Sequence, residues 1–177
     1  DFKKLNFIEQ INPQGTGHAM ICCQDYLRQH INNNFKAIIL YGDVPFIQHT
    51  TIEKINTIHD VNITTTIKEN PYGSGRIILN NNEFIKIIEE KDCNQEQKKI
   101  KQVNCGIYSI KVDLLYNNLS LLTNNNAQQE YYLTDIIEII KKQTGSYINI
   151  VNIPENKQYQ VCGVNTKDEL IALENKI

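Results

Sequence analysis

A membrane-spanning helix needs about 20 apolar residues in a row, and the longest wholly aliphatic run in this chain is Ala37 to Leu40. No signal-peptide pattern opens the sequence either. The first residue is Asp1 rather than Met, as expected of a fragment. Basic clusters are also lacking. The 18 Lys and Arg face 20 Asp and Glu, and Lys98, Lys99 and Lys101 lie beside Glu96 as a solvated face. A large nucleic-acid footprint, which needs a basic patch, is not expected. The five cysteines (Cys22, Cys23, Cys93, Cys105 and Cys162) are odd in number and show no CxxC spacing. They read as reduced thiols of a cytoplasmic protein. Neither a linker nor an internal repeat divides the chain, so its 177 residues are expected to form one domain with a substantial core.

What is present is alternation. Residues 5–11 read as extended, and Thr16 to about His30 as a helix opened by a Gly-Thr-Gly turn. Lys36 to Tyr41 is a nearly all-apolar run of the kind a buried parallel strand shows. It stops at Gly42, Asp43 and Pro45, after which Thr50 to Asp60 reads helical. Residues 61–68, 75–79 and 83–90 come in short apolar bursts that suggest a hairpin over the sheet. A strand is expected at 102–110 and another near 147–153, with helices at 111–119, 132–143 and 166–176. The order predicts an α/β domain with a mixed, mostly parallel sheet, flanking helices and an overlying β-hairpin. Asn triplets at 32–34, 80–82 and 124–126 fall between these segments and read as tolerated polar loops.

Chemistry is expected first at Tyr41-Gly42-Asp43. A carboxylate just past the end of a buried strand is where open α/β sheets hold ligands. Gly42 allows close approach, and Asp43 is a hard oxygen donor suited to Mg²⁺. The competing reading, a turn aspartate capping the next helix, is open on local pattern alone. The Gly15-Thr16-Gly17 turn could offer backbone N–H groups to a polar ligand, or be a plain strand-to-helix turn. It is neither a GxGxxG nor a P-loop motif. His18 reads as packed or solvated rather than as a base. Glu89, Glu90, Lys91 and Asp92 suit sugar hydroxyls or an ordinary charged strand end. Asn104-Cys105-Gly106 suits an amide contact to a sugar, and Asn165 is either a helix cap or a neutral metal ligand.

Seven strings, GTGHAM (15–20), LYGDVPF (40–46), YGSGRI (72–77), EEKD (89–92), VNCGI (103–107), LTNNNAQQEYYLTDII (122–137) and GVN (163–165), span nearly the whole chain. In this order and spacing the chain resembles the amino-terminal, pyrophosphorylase half of the bifunctional bacterial N-acetylglucosamine-1-phosphate uridylyltransferase and glucosamine-1-phosphate acetyltransferase. The resemblance implies a Rossmann-like nucleotide-diphospho-sugar transferase fold. It implies that Gln10, Gly15 and Thr16 read uracil, and that Tyr41, Gly42 and Asp43 lie along the nucleotide. Gly75, Glu89 and Asn104 would line the N-acetylglucosamine pocket, while Asp43 and Asn165 ligate Mg²⁺. The implied reaction takes UTP and N-acetylglucosamine 1-phosphate to UDP-N-acetylglucosamine and pyrophosphate, for peptidoglycan and lipopolysaccharide precursors. No nucleophile–base pair is needed, which agrees with the absence of one here.

The sequence also departs from that family. Nothing matches the family's opening LxAAGxGTRM-type loop or its acetyltransferase half, so residues 1–177 are expected to be a partial nucleotidyltransferase domain. The chain by itself is expected to be weakly active or inactive and poorly soluble. The family's homotrimer belongs to the acetyltransferase half and is not ascribed to these residues. Cys105, Cys162 and Thr166-Lys167 stand where the family has other residues. Two rival readings are a transferase for another sugar 1-phosphate and a non-catalytic domain that binds uridine nucleotides.

Overall fold

The computed structural model describes residues 5–175. Six strands form one mixed sheet: β1 (Lys36–Ile39), β2 (Val61–Ile67), β3 (Arg76–Asn80), β4 (Glu83–Ile88), β5 (Gln102–Lys111) and β6 (Ile148–Asn152). The spatial order is β4-β3-β5-β2-β6, with β1 also paired to β5. Seven α-helices accompany it among the described residues: α1 (Thr16–Cys22), α2 (Gln24–Arg28), α3 (His49–Ile55), α4 (Gln95–Lys98), α5 (Val112–Asn118), α6 (Asp135–Thr144) and α7 (Lys167–Glu174).

The α/β class and mixed sheet are as expected, but the parallel bias is not. Among the described residues only β2 and β6 run parallel. The reason is β5, which runs opposite to β1, β2 and β3, so every pairing through it is antiparallel. β1 is therefore neither parallel nor deeply buried, with Ile38 37% exposed. The β3–β4 hairpin does not lie over the sheet; it continues the sheet's edge through Arg76 opposite Val103. The helix expected over 16–30 is two short helices broken at Cys23. Residues 5–11 belong to no strand.

The asparagine triplets are structural. Asn81 and Asn82 both have positive φ and make the two-residue turn between β3 and β4, the conformation a tight hairpin requires and asparagine tolerates. Asn126 ties its own loop, its side-chain oxygen accepting from the N–H groups of Gln128 and Glu130.

Two clusters sandwich the sheet's centre. One packs Val61, Ile63, Tyr108 and Ile110 against α5 and α6 through Leu115, Ile136, Ile137 and Ile140. The other gathers Ile55, Cys105, Ile107, Ile153 and Val161 on the opposite face. Strand periodicity explains the division, because alternate β5 side chains enter opposite layers.

Strand β5 is long enough to serve two neighbours along one flank. Its C-terminal part, Tyr108 to Lys111, pairs with β1, whereas Val103 pairs with β3. Among the described residues, no strand pairs with the stretch between on that flank. On the other flank the register with β2 slips: Ile63 opposes Tyr108 while Thr65 opposes Asn104. Cys105, Gly106 and Ile107 thus bulge opposite Thr64, whose hydroxyl donates to the Ile107 carbonyl at 2.9 Å. Bulges of this kind re-aim a strand and gather beside functional sites.

Candidate active site in the gap beside strand β5

A cleft of about 240 Å³ occupies this gap, lined among others by Tyr41, Asp43, Gly75, Glu89, Asn104 and Gly163. β1 delivers Tyr41 and Asp43 from its carboxyl end. The loop before β3 brings Gly75, and the end of β4 brings Glu89.

Gly106 makes the geometry possible. Its φ is +72°, and a Cβ built there would stand 2.2 Å from Tyr41 Cε2, so the Tyr41 ring lies across a bare backbone. Asn104 is held on both ends of its amide. Its Nδ2 donates to Tyr108 Oη at 2.7 Å, and its Oδ1 accepts from the Gly106 N–H at 3.2 Å. Its backbone N–H donates to the Gly75 carbonyl at 2.9 Å. A Cβ on Gly75 would come within 2.9 Å of Ile87 and 3.3 Å of the Glu89 carboxylate, so this position too is kept bare.

Glu89 accepts from Thr134 Oγ1 at 2.9 Å. Burial pushes its carboxyl up and the neighbouring Asp92 adds to the rise, while the Thr134 hydrogen bond and Arg76 oppose it. Burial also raises the Tyr41 phenol, opposed by hydrogen bonding with Tyr108 and Thr16 and reinforced by Glu89 and Asp43. Cys105 is pushed up to about 12, chiefly by burial, which makes it a packed thiol rather than a nucleophile.

The sequence-predicted residues fall into linked groups. Tyr41, Asp43, Gly75, Glu89 and Asn104 share the cleft, while Gly42 is exposed beside them. Gln10, Gly15 and Thr16 gather at the start of α1. Gln10 Nε2 donates to the Gly15 carbonyl at 3.1 Å and lies 2.8 Å from His18 Nδ1. His18 is half-buried, with Gln10 as a side-chain neighbour. Backbone hydrogen bonds lace this turn to Tyr131, from Gly17 N–H at 2.7 Å and to Gln14 O at 2.8 Å, and Thr16 Oγ1 accepts from the Leu133 N–H at 3.1 Å.

Asn165 follows a residue whose N–H donates to the Asp43 carbonyl, Val164, at 2.8 Å. This contact sets 163–165 beside Asp43, and a Cβ on Gly163 would crowd Asp43 Oδ2 at 2.9 Å. The cap of α7 is Thr166, reciprocated by Glu169. Asn165 contributes only its backbone N–H to the Glu169 carboxylate, at 2.7 Å, so capping does not consume its side chain. Among the described residues no group of three or more His, Cys, Asp or Glu is placed to hold a metal. Asp43 and Asn165 are both exposed, on segments joined by the Val164–Asp43 backbone bond, and one carboxylate plus one amide are oxygen donors of the kind Mg²⁺ accepts alongside phosphate and water.

Sequence reasoning missed Tyr108, Thr134 and Ser74. Each sits inside a recognisable string or beside one. Thr134 depends on Glu89, 45 residues away, whereas Tyr108 meets Asn104 four residues away across the β5 bulge and Ser74 bonds Lys68 and Arg76 nearby, contacts set by local backbone geometry that apolar periodicity does not report.

The fold is of the nucleotide-diphospho-sugar transferase class. The fold is similar to that of a Bacillus anthracis chain assigned as a glucose-1-phosphate thymidylyltransferase and solved with sucrose, with TM-score 0.63, 18% identity, and coverage of 94% of this chain and 62% of that one. The chain matches no protein-family model. It is 43% identical over 178 positions to a probable UDP-N-acetylglucosamine pyrophosphorylase of Acanthamoeba polyphaga mimivirus, covering 97% of this chain and 69% of that protein. It is 42% identical over 168 positions to the bifunctional protein GlmU of Thermosipho melanesiensis, covering 92% of this chain. The chain belongs to the UDP-N-acetylglucosamine pyrophosphorylase family. It spans about a third of the bifunctional relatives it matches, 34% in that case.

Proposed function

We propose that the protein to which this chain belongs transfers UMP from UTP to N-acetylglucosamine 1-phosphate, giving UDP-N-acetylglucosamine and pyrophosphate. The observation that carries this reading is the convergence of Tyr41, Asp43, Gly75, Glu89 and Asn104 on one cleft, in a chain whose relatives carry that name. A phosphate oxygen of the sugar phosphate attacks the α-phosphorus of UTP, and pyrophosphate departs. Protein side chains bind and orient; none needs to form a bond.

Gln10, Gly15 and Thr16 hold the uracil end of the nucleotide, while Tyr41 and Gly42 support its length. Asn104, locked by Tyr108 and Gly106, presents a fixed amide face to the sugar. Glu89 accepts from sugar hydroxyls at the bare backbone of Gly75. Asp43 and Asn165 are the residues that would hold Mg²⁺, which when bound offsets charge on the triphosphate and its leaving group. The substrates are nucleotide-pool metabolites, so we place the protein in the cytoplasm.

The test is pyrophosphate release by the full-length gene product with UTP and a panel of sugar 1-phosphates. We expect Mg²⁺-dependent turnover that favours N-acetylglucosamine 1-phosphate, and a fall on the order of 10²–10³-fold in Asp43→Asn at saturating substrate. Preference for glucose 1-phosphate, or an Asp43→Asn enzyme as fast as the parent, overturns the reading.

A further inference from the structure

The cleft's rim is formed by residues 73–75, and a buried ion pair behind the rim ties it down. The Arg76 side chain is 1% exposed and its Nη2 lies 2.5 Å from Glu90 Oε2. Nη1 donates to the Ser74 carbonyl, and Nη2 also donates to the Lys98 carbonyl at 3.4 Å. The same Glu90 oxygen accepts from the Gly73 N–H at 3.3 Å. One guanidinium–carboxylate pair therefore holds the backbone at 73 and at 74, immediately before the Gly75 carbonyl that accepts from Asn104. Glu90 also adjoins Glu89 in sequence, so fixing one constrains where the other points.

As a source of stability the pair is a poor device. Arg76 Nε is buried with no hydrogen-bond partner, and a buried pair recovers its desolvation cost only when the remaining donors are satisfied. Its consistent effect is geometric: every bond it makes, except that to Lys98, ends on the rim or on Glu90.

We propose that Arg76 and Glu90 are a positioning pair for the acceptor sugar phosphate, setting the 73–75 rim and, through it, Asn104 and Glu89. This rests on the reading of the cleft given above. Nucleotide contacts at Gln10, Gly15 and Thr16 lie on a different segment and do not touch the pair, so its loss acts on one substrate selectively.

The experiment compares Glu90→Gln and Arg76→Lys with the parent in the full-length protein. In Glu90→Gln we expect KM for N-acetylglucosamine 1-phosphate to rise about tenfold or more while KM for UTP stays within about twofold. Arg76→Lys, which keeps the charge but loses the fork, should fall between the two. Amide hydrogen exchange provides a readout independent of turnover: exchange at Gly73, Gly75 and Asn104 should quicken by about tenfold or more, with Ile63 in β2 unchanged. Equal rises in both KM values, or unchanged exchange at the rim, overturns the proposal. A parent protein without uridylyl transfer to this sugar would refute the earlier reading instead, and the exchange pattern would still decide whether the pair sets the rim. If Glu90→Gln fails to fold, Arg76→Lys carries the same comparison.

Discussion

A β-carbon at position 106 would stand 2.2 Å from Cε2 of Tyr41 and 2.6 Å from its Cδ2, and no side-chain rotation at 106 relieves that. Gly106→Ala must therefore move the Tyr41 ring or the β5 bulge. The positive φ of 72° adds about 1–3 kcal/mol of backbone strain for a residue with a side chain. We expect a lowered urea midpoint together with a loss of turnover greater than Tyr41→Phe produces, measured on the full-length protein. A Gly106→Ala protein of parental stability and activity would show that the ring does not need this backbone. At this scale the sequence was informative about chemistry. Asp43, Glu89 and Asn104 were identifiable as donors or acceptors beside glycines. Thr134 was not, because its partner Glu89 is 45 residues away.

Helix α6 illustrates how an element serves the cleft at some cost to itself. Its N-cap, Thr134, makes no side-chain bond to the helix; the hydroxyl is directed to Glu89 instead. The next residue, Asp135, has its carboxyl pushed up to about 6, by burial first and then by Glu138, Glu89 and Asp92, with Lys86 opposing. The sign follows from proton linkage. Between its unfolded value near 3.8 and about 6, the folded state holds this proton more tightly than the unfolded state does. The contribution of Asp135 to stability is therefore most favourable below that window and is lost as pH rises through it. Asp135→Asn should raise the urea midpoint at about pH 7.5 and leave it nearly unchanged at about pH 4. A lower midpoint at the higher pH would mean that the carboxylate's interaction with the helix start outweighs its burial.

At the scale of the whole molecule, β5 is the strand on which the fold depends. It pairs with β1, β2 and β3, and its side chains enter both cores. Ile107 is fully buried, so Ile107→Ala should cost about 2–5 kcal/mol in urea unfolding. Ile67, 48% exposed at the end of β2, should cost less than about 0.5 kcal/mol on the same change. Comparable losses at the two positions would contradict the burial pattern.

Apolar periodicity and turn chemistry are local properties, and by themselves they determined most elements, the α/β class and the segments that carry polar chemistry. Strand direction is not local. An apolar run such as 36–41 looks the same whichever way its neighbour runs, and here the neighbour is β5, running backwards. Only the tertiary structure decided that β1 and β3 meet β5 at its two ends and leave a gap over Gly106. It alone set Thr134 on Glu89 and Val164 on Asp43, since hydrogen bonds between distant residues depend on the path of the chain between them.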